Sequence, residues 1–194
     1  AQLALSNTAF GLSVGAFAAG ALLSGLTAGA LIRRIGSARV AVATSLLVAL
    51  CTFAAAVATV PAAFAAALFA AGAADAVTDV AQNAHGLRVQ RNYGRSIINS
   101  LHAVWSAGAV LGGLLGAGAI ALGVSRAAQL GMTGIVFATA CLVGYRFLLR
   151  GPDEPETPAS DTAGAGRPTS RTWALIGMLA LLAIAGAAVE DAGS

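Results

Sequence analysis

The sequence has no lysine, and no charged residue of either sign occurs in residues 1–32 or 40–74. Only 10% of its 194 residues are charged, against roughly 25% in soluble domains. So little charge excludes an ordinary water-facing exterior. Cysteine is nearly absent, and Cys51 and Cys141 each lie inside an apolar run, where they read as small packing hydrophobes and say nothing of redox compartment. Histidine is equally scarce: His85 and His102 are separated by an arginine-rich loop with no cysteine near, so no metal site is read. No glycine-rich phosphate loop, nucleophile–base pair or zinc spacing occurs, which removes a cofactor and the common hydrolytic enzymes from consideration.

What is present is apolar length. The chain is 58% hydrophobic with a mean hydropathy of +0.82. About 20 apolar residues, at about 1.5 Å each, cross a hydrocarbon core near 30 Å. The pattern predicts an all-α polytopic membrane protein with spans over 8–32, 40–59, 62–84, 97–122, 127–149 and 172–189. Pro61 divides an otherwise charge-free run (40–74) too long for one span, because proline breaks the helix ladder. Residues 150–171, rich in Pro, Gly, Ser, Thr and acids, read as a solvated linker. The chain opens without Met or a basic leader and stops just after an apolar run, so it reads as an internal piece of a longer membrane protein.

All eleven basic residues are arginine, and alternating spans sort them. One side receives Arg33, Arg34, Arg39, Arg88, Arg91, Arg95, Arg146, Arg150, Arg167 and Arg171; the other receives Arg126. By the positive-inside rule the arginine-rich loops are cytoplasmic and residue 1 is outside. The net charge of +3 thus reports topology, and nucleic acid is not a partner. Small residues at four-residue spacing favour close helix packing in lipid, which nominates Gly11, Gly15, Gly25 and Gly29 in the first span and Gly108, Gly112 and Gly116 in the fourth. Their recurrence three spans apart suits inverted three-helix repeats.

Ionisable groups inside spans are costly and by default mark a pathway or site. In the third span Asp75, Asp79, Gln82 and Asn83 fall at i, i+4, i+7 and i+8 on one stripe. In the fourth, Asn99, His102 and Ser106 share a face beside Trp105. Two polar-striped helices in succession suit a common cavity. Interfacial solvation of Asp79 and Asn83, a purely structural hydrogen bond at Asp75, packing of His102 and an aromatic-belt place for Trp105 are the competing readings.

The segment "GALIRRIGSAR" resembles the signature between the second and third helices of the major facilitator superfamily. Gly29, Arg34, Gly36 and Arg39 fit it; Arg33 stands at its Asp position, and Ser37 and Ala38 replace two basic residues. This segment is the gating loop that the resemblance implies. "DVAQNAHGLRVQRNYGRSIINSLHAVWSAGAVLGG" is similar to the fourth-to-fifth-helix region of the fucose-permease-like branch, through Asp79, Asn83, His102, Ala103, Ser106 and Gly108. The resemblance covers essentially the whole chain. Residues 1–149 would hold helices two to six of the N-terminal half, 150–171 the cytoplasmic linker, and 172–194 the first helix of the C-terminal half. It implies a major-facilitator-type bundle lacking helix one and the last five helices, which the missing remainder of the same chain would supply.

The implied function is a proton-coupled symport permease for a small polar solute such as a sugar, in the bacterial inner (plasma) membrane. Asp79, or Asp75, would carry the proton; Asn83, Asn99, His102 and Trp105 would meet the solute. Export of drugs or metabolites uses the same scaffold, and a membrane-embedded enzyme or non-transporting scaffold is the alternative of another class. The topology is testable in a cysteine-free full-length protein on intact cells. With an impermeant thiol reagent, Ser125→Cys labels and Ser160→Cys does not; the reverse pattern would invert the orientation.

Overall fold

Helices that meet inside a membrane gain little from burying apolar surface, so they approach where their side chains are small. The computed structural model describes residues 6–151 and 153. It shows five α-helices, each long and apolar enough to cross a membrane: α1 (Asn7–Ile35), α2 (Ser37–Val57), α3 (Pro61–Tyr93), α4 (Ile98–Ala121) and α5 (Arg126–Tyr145). The expected span at 172–189 lies outside the described residues.

Local chemistry explains the ends. Ser6 and Ser125 accept the Ala9 and Ala128 N–H groups and so cap α1 and α5. Pro61 opens α3, where its missing N–H costs nothing. Gly94 closes α3 in the left-handed conformation. At its finish α2 meets Arg126, whose guanidinium donates to the Ala56 carbonyl. Two boundaries differ from the sequence reading. The turn between α1 and α2 is no loop but the single residue Gly36, at φ 89° and ψ 145°, a region essentially restricted to glycine. The arginines beside it therefore sit on helical turns. And α3 runs nine residues past the apolar window that ended at 84, because a helix continues into polar sequence until a residue such as Gly94 stops it.

The packing centres on α3, which lies against both α1 and α2, while α2 also meets α5 and α4 touches α3 only lightly. Ala28, Ile32, Val40, Ala41, Val77 and Ala81 form the core between the first three helices. Gly20 and Gly72 make the closest approach: a Cβ at Gly20 would overlap the Phe69 carbonyl, and one at Gly72 the Phe17 carbonyl. One turn on, the Ser24 hydroxyl donates to the Ala73 carbonyl across the same crossing at 2.8 Å. The glycines nominated from spacing stand elsewhere. Gly11, Gly15, Gly25, Gly108 and Gly112 meet no atom within 4 Å of a built Cβ among the described residues, and Gly116 meets only the Gln129 amide. Spacing identified small faces but not which face a neighbour occupies.

Gly20→Ala and Gly72→Ala should each destabilise the full-length protein by about 1–3 kcal/mol, the usual cost of overpacking. Gly11→Ala should leave the thermal midpoint unchanged. Equal midpoints for all three in a detergent melt would refute the crossing.

Candidate functional site

In an apolar helix pair each polar side chain needs a partner, and α2 and α3 provide a series of them. The Thr78 hydroxyl donates to Thr44 Oγ1 at 2.7 Å, the Gln82 amide reaches Ser45 Oγ at 3.4 Å, and Ser37 Oγ lies 3.1 Å from His85 Nδ1. These contacts hold the arginine-rich half of α3 in register with the start of α2. They also aim the remaining polar stripe of α3 at α4 and α5.

A cavity of ≈ 660 Å³ lies there, walled by α2, α3, α4 and α5. Asp79, Gln82 and Asn83 line it from α3, and His102 and Trp105 line it from α4. The Asn83 amide donates to Asp79 Oδ1 at 3.1 Å, a one-turn pair within the same helix. His102 Nδ1 lies 3.0 Å from the Ile98 carbonyl; a carbonyl can only accept, so Nδ1 carries the proton. The rest of the wall is largely apolar, with Leu101, Val104 and Cys141 among its members. Gln90 positions the start of α4: its Oε1 accepts the Ile97 and Ile98 N–H groups, at 2.9 and 3.3 Å. Ile97 offers no side chain to cap that helix, so Gln90 supplies one from α3.

The structure brings Asp79, Asn83, His102 and Trp105 together around one cavity. Asp75, one turn before Asp79 on α3, is exposed and outside the cavity wall, as is Asn99 on α4. His85, Gln82 and Gln90 were not nominated as site residues. The first signal for His85 is its burial, at 6% exposure, which periodicity does not report.

Arg33 and Arg34 end α1 and Arg39 lies in the first turn of α2, on either side of Gly36, with Gly29 about two turns before Gly36 on α1. Arg33, Arg34, Gly36 and Arg39 border a second, basic recess of ≈ 470 Å³ with Tyr145 and Arg150. The turn has no carboxylate of its own, since Arg33 stands where the resembling signature has Asp. A carboxylate arrives from another part of the chain. Asp153 accepts the backbone N–H of Ser37 and, at 2.7 Å, its hydroxyl. Arg88 of α3 faces the same carboxylate at 3.5 Å and donates to the Arg150 and Gly151 carbonyls at 2.7 and 3.1 Å. Among the described residues this is the one ion pair. It ties the α1–α2 turn, the far end of α3 and the segment after α5 into one knot. A carboxylate at the first N–H of α2 also meets the positive end of that helix.

Residues 1–190 match the sequence profile of the Major Facilitator Superfamily. Over 110 residues the chain is 36% identical to a Sinorhizobium fredii protein named "Uncharacterized transporter y4wD", a stretch that is 56% of this chain and 29% of that relative. The chain thus matches less than a third of the relative's length. No solved structure matches it.

The Asp153 knot is measurable by a double-mutant cycle on thermal stability of the full-length protein. Arg88→Gln and Asp153→Asn should couple by about 0.5–1 kcal/mol, the range for a partly exposed ion pair. Ser37→Ala should cost about 1 kcal/mol more through its lost hydrogen bonds. Strict additivity of the first two variants would dissolve the knot.

Proposed function

The chain belongs to the Major Facilitator Superfamily, and from that premise we propose that it is part of a proton-coupled secondary transporter moving a small polar solute, such as a sugar, across the plasma membrane. Transport proceeds by alternating access, in which two halves rock about a mid-membrane site. The arginine-rich end faces the cytoplasm, and the cavity between α2 and α5 opens from that side.

The observation that carries the reading is the Asp79–Asn83 pair in the cavity wall. A carboxyl sealed from water favours its neutral form, and hydration favours release of its proton, so a carboxyl on a cavity alternately sealed and opened can carry one proton per cycle. Asn83 offers both donor and acceptor to a hydroxylated solute, and His102 presents Nε2 as an acceptor. Trp105, 71% exposed among the described residues, offers a flat face for a sugar ring or another weakly polar surface. The similarity of residues 79–113 to the fucose-permease-like branch supports the sugar. A second reading, export of an amphipathic metabolite or drug on the same scaffold, draws on the apolar remainder of the wall, including Val42, Val89, Ile97 and Leu148.

Asp79→Asn keeps size and hydrogen bonding but removes the titration. One proton per solute, driven by a pH difference of about one unit, supports about tenfold accumulation. In liposomes holding the full-length protein, Asp79→Asn should abolish that accumulation while leaving counterflow exchange intact. Asp75→Asn should keep both. Wild-type accumulation by Asp79→Asn would make Asp79 structural, and loss with Asp75→Asn alone would move the carrier one turn inward.

A further inference from the structure

His85 is buried at 6% exposure in the cavity wall, and one ring nitrogen, Nε2, has no hydrogen-bond partner among the described residues. Its surroundings fix which proton it holds. Asp153 as a carboxylate can only accept, so the Ser37 hydroxyl donates to it at 2.7 Å. That hydroxyl has no second proton, so across the 3.1 Å contact it is His85 Nδ1–H that donates to Ser37 Oγ. In the neutral ring Nε2 is then a bare lone pair sealed from solvent. A buried acceptor without a donor is costly and calls for an explanation.

We propose that His85 is a proton-accepting site of the cavity wall, and that Ser37 and Asp153 carry its proton on to the cytoplasmic face. The proposal rests on the proton-coupled reading above, with Asp79 as the carrier that loads this site. The charged and titratable groups around His85 are Arg88 and Asp153 on the arginine-rich side and Asp79, His102, Cys141 and Tyr145 along the cavity. Asp79 lines the same cavity six residues earlier on α3, so a proton leaving it reaches the ring by way of cavity water.

The transfer balances without any further reactant. A proton binds Nε2; the Nδ1 proton passes to Ser37 Oγ as the Ser37 proton passes to Asp153 Oδ1. The ring ends neutral with its proton on Nε2, the serine is unchanged, and Asp153 is a carboxylic acid. Asp153 then passes the proton to water at the arginine-rich face, which restores its contacts with Arg88 and the Ser37 N–H. When the cavity opens to the arginine-rich side, Nε2 gives its proton to water and Nδ1 regains one from that side through Ser37. The starting tautomer returns with no net transfer in the reset. Each residue has one role here: His85 receives, Ser37 relays, and Asp153 releases.

The test uses the full-length protein in liposomes, with an interior pH dye for proton influx and counterflow for solute exchange. Glutamine fills the place of the ring but cannot take up a proton. His85→Gln should slow solute-driven proton influx by about a hundredfold, the low end for loss of a positioned proton-transfer group. Ser37→Ala leaves the ring and breaks the relay, and should slow influx likewise. Both should also flatten the pH dependence of influx, which a merely structural change would not do, while counterflow persists. Should His85→Gln fail to fold, Ser37→Ala with intact counterflow decides the matter. Wild-type influx in either folded variant overturns the relay. If Asp79→Asn uncouples while both of these variants stay coupled, the relay alone is wrong. If wild-type accumulation ignores the pH gradient, the proton-coupled reading itself fails.

Discussion

The contact on which the rest depends is the backbone-to-backbone crossing of α1 and α3 at Gly20 and Gly72. A methyl group on either residue would overlap a carbonyl oxygen of the other helix, so the two axes stand as close as α-helices can. The Ser24 hydroxyl then spans the crossing to Ala73, a bond possible only at that separation. With α3 held against α1, its other side is free to meet α2, and its 33 residues reach about 50 Å at about 1.5 Å each. That exceeds a hydrocarbon core of about 30 Å. Counted from Pro61, about 20 residues fill such a core, so Asn83, His85, Arg88 and Gln90 fall in the excess. One helix thus presents the cavity groups, the ion pair and the cap of α4, and a single crossing sets their depth.

Polar satisfaction explains which of those groups are available for function. Thr78, Gln82 and the Nδ1 side of His85 are each answered from α2, by Thr44, Ser45 and Ser37. Groups answered in this way fix register. What is left over at the cavity is small: the Asp79 carboxyl beside Asn83, the far nitrogen of His102, and Nε2 of His85. In an environment where an unanswered polar atom is costly, such leftovers are retained at a site that something else visits. They converge on one cavity, although they arise from two helices and from positions that differ in burial.

Much of this was legible because it is local. Apolar length separated the spans, Pro61 marked the start of α3, and the i, i+4 relation between Asp79 and Asn83 placed them on one stripe. Charge-free runs and arginine clusters located the helix ends within a few residues, except the far end of α3, which lies nine residues beyond the expected one. The remainder depends on facts that a linear pattern does not hold. Gly20 and Gly72 are two of 24 glycines, and nothing in their spacing distinguishes them from Gly11 or Gly15, which meet open space. Asp75 and Asp79 share a stripe by periodicity, yet the cavity covers only one end of that stripe. Asp153 lies in a segment whose composition reads as solvated linker, 116 positions from the serine it holds. His85 looked unremarkable until its tautomer followed from a carboxylate on the far side of a hydroxyl.

Arg33 stands where the resembling signature has an acid, and the carboxylate that meets this turn comes from Asp153. The first N–H groups of α2 are otherwise uncapped, because the cap residue Gly36 has no side chain to offer. A carboxylate within the turn would serve only those neighbours. Supplied by Asp153, it binds the turn to Arg88 on α3 and to the chain beyond α5 as well. The partial exposure of this pair matters energetically. Removing one partner of a fully buried pair strands a charge at about 3–5 kcal/mol, and a contact of that kind would resist opening. A pair that keeps 17% of each side chain in contact with solvent lies nearer the range of about 1 kcal/mol or less for exposed pairs. Such a knot orders the arginine-rich end and takes little free energy to open.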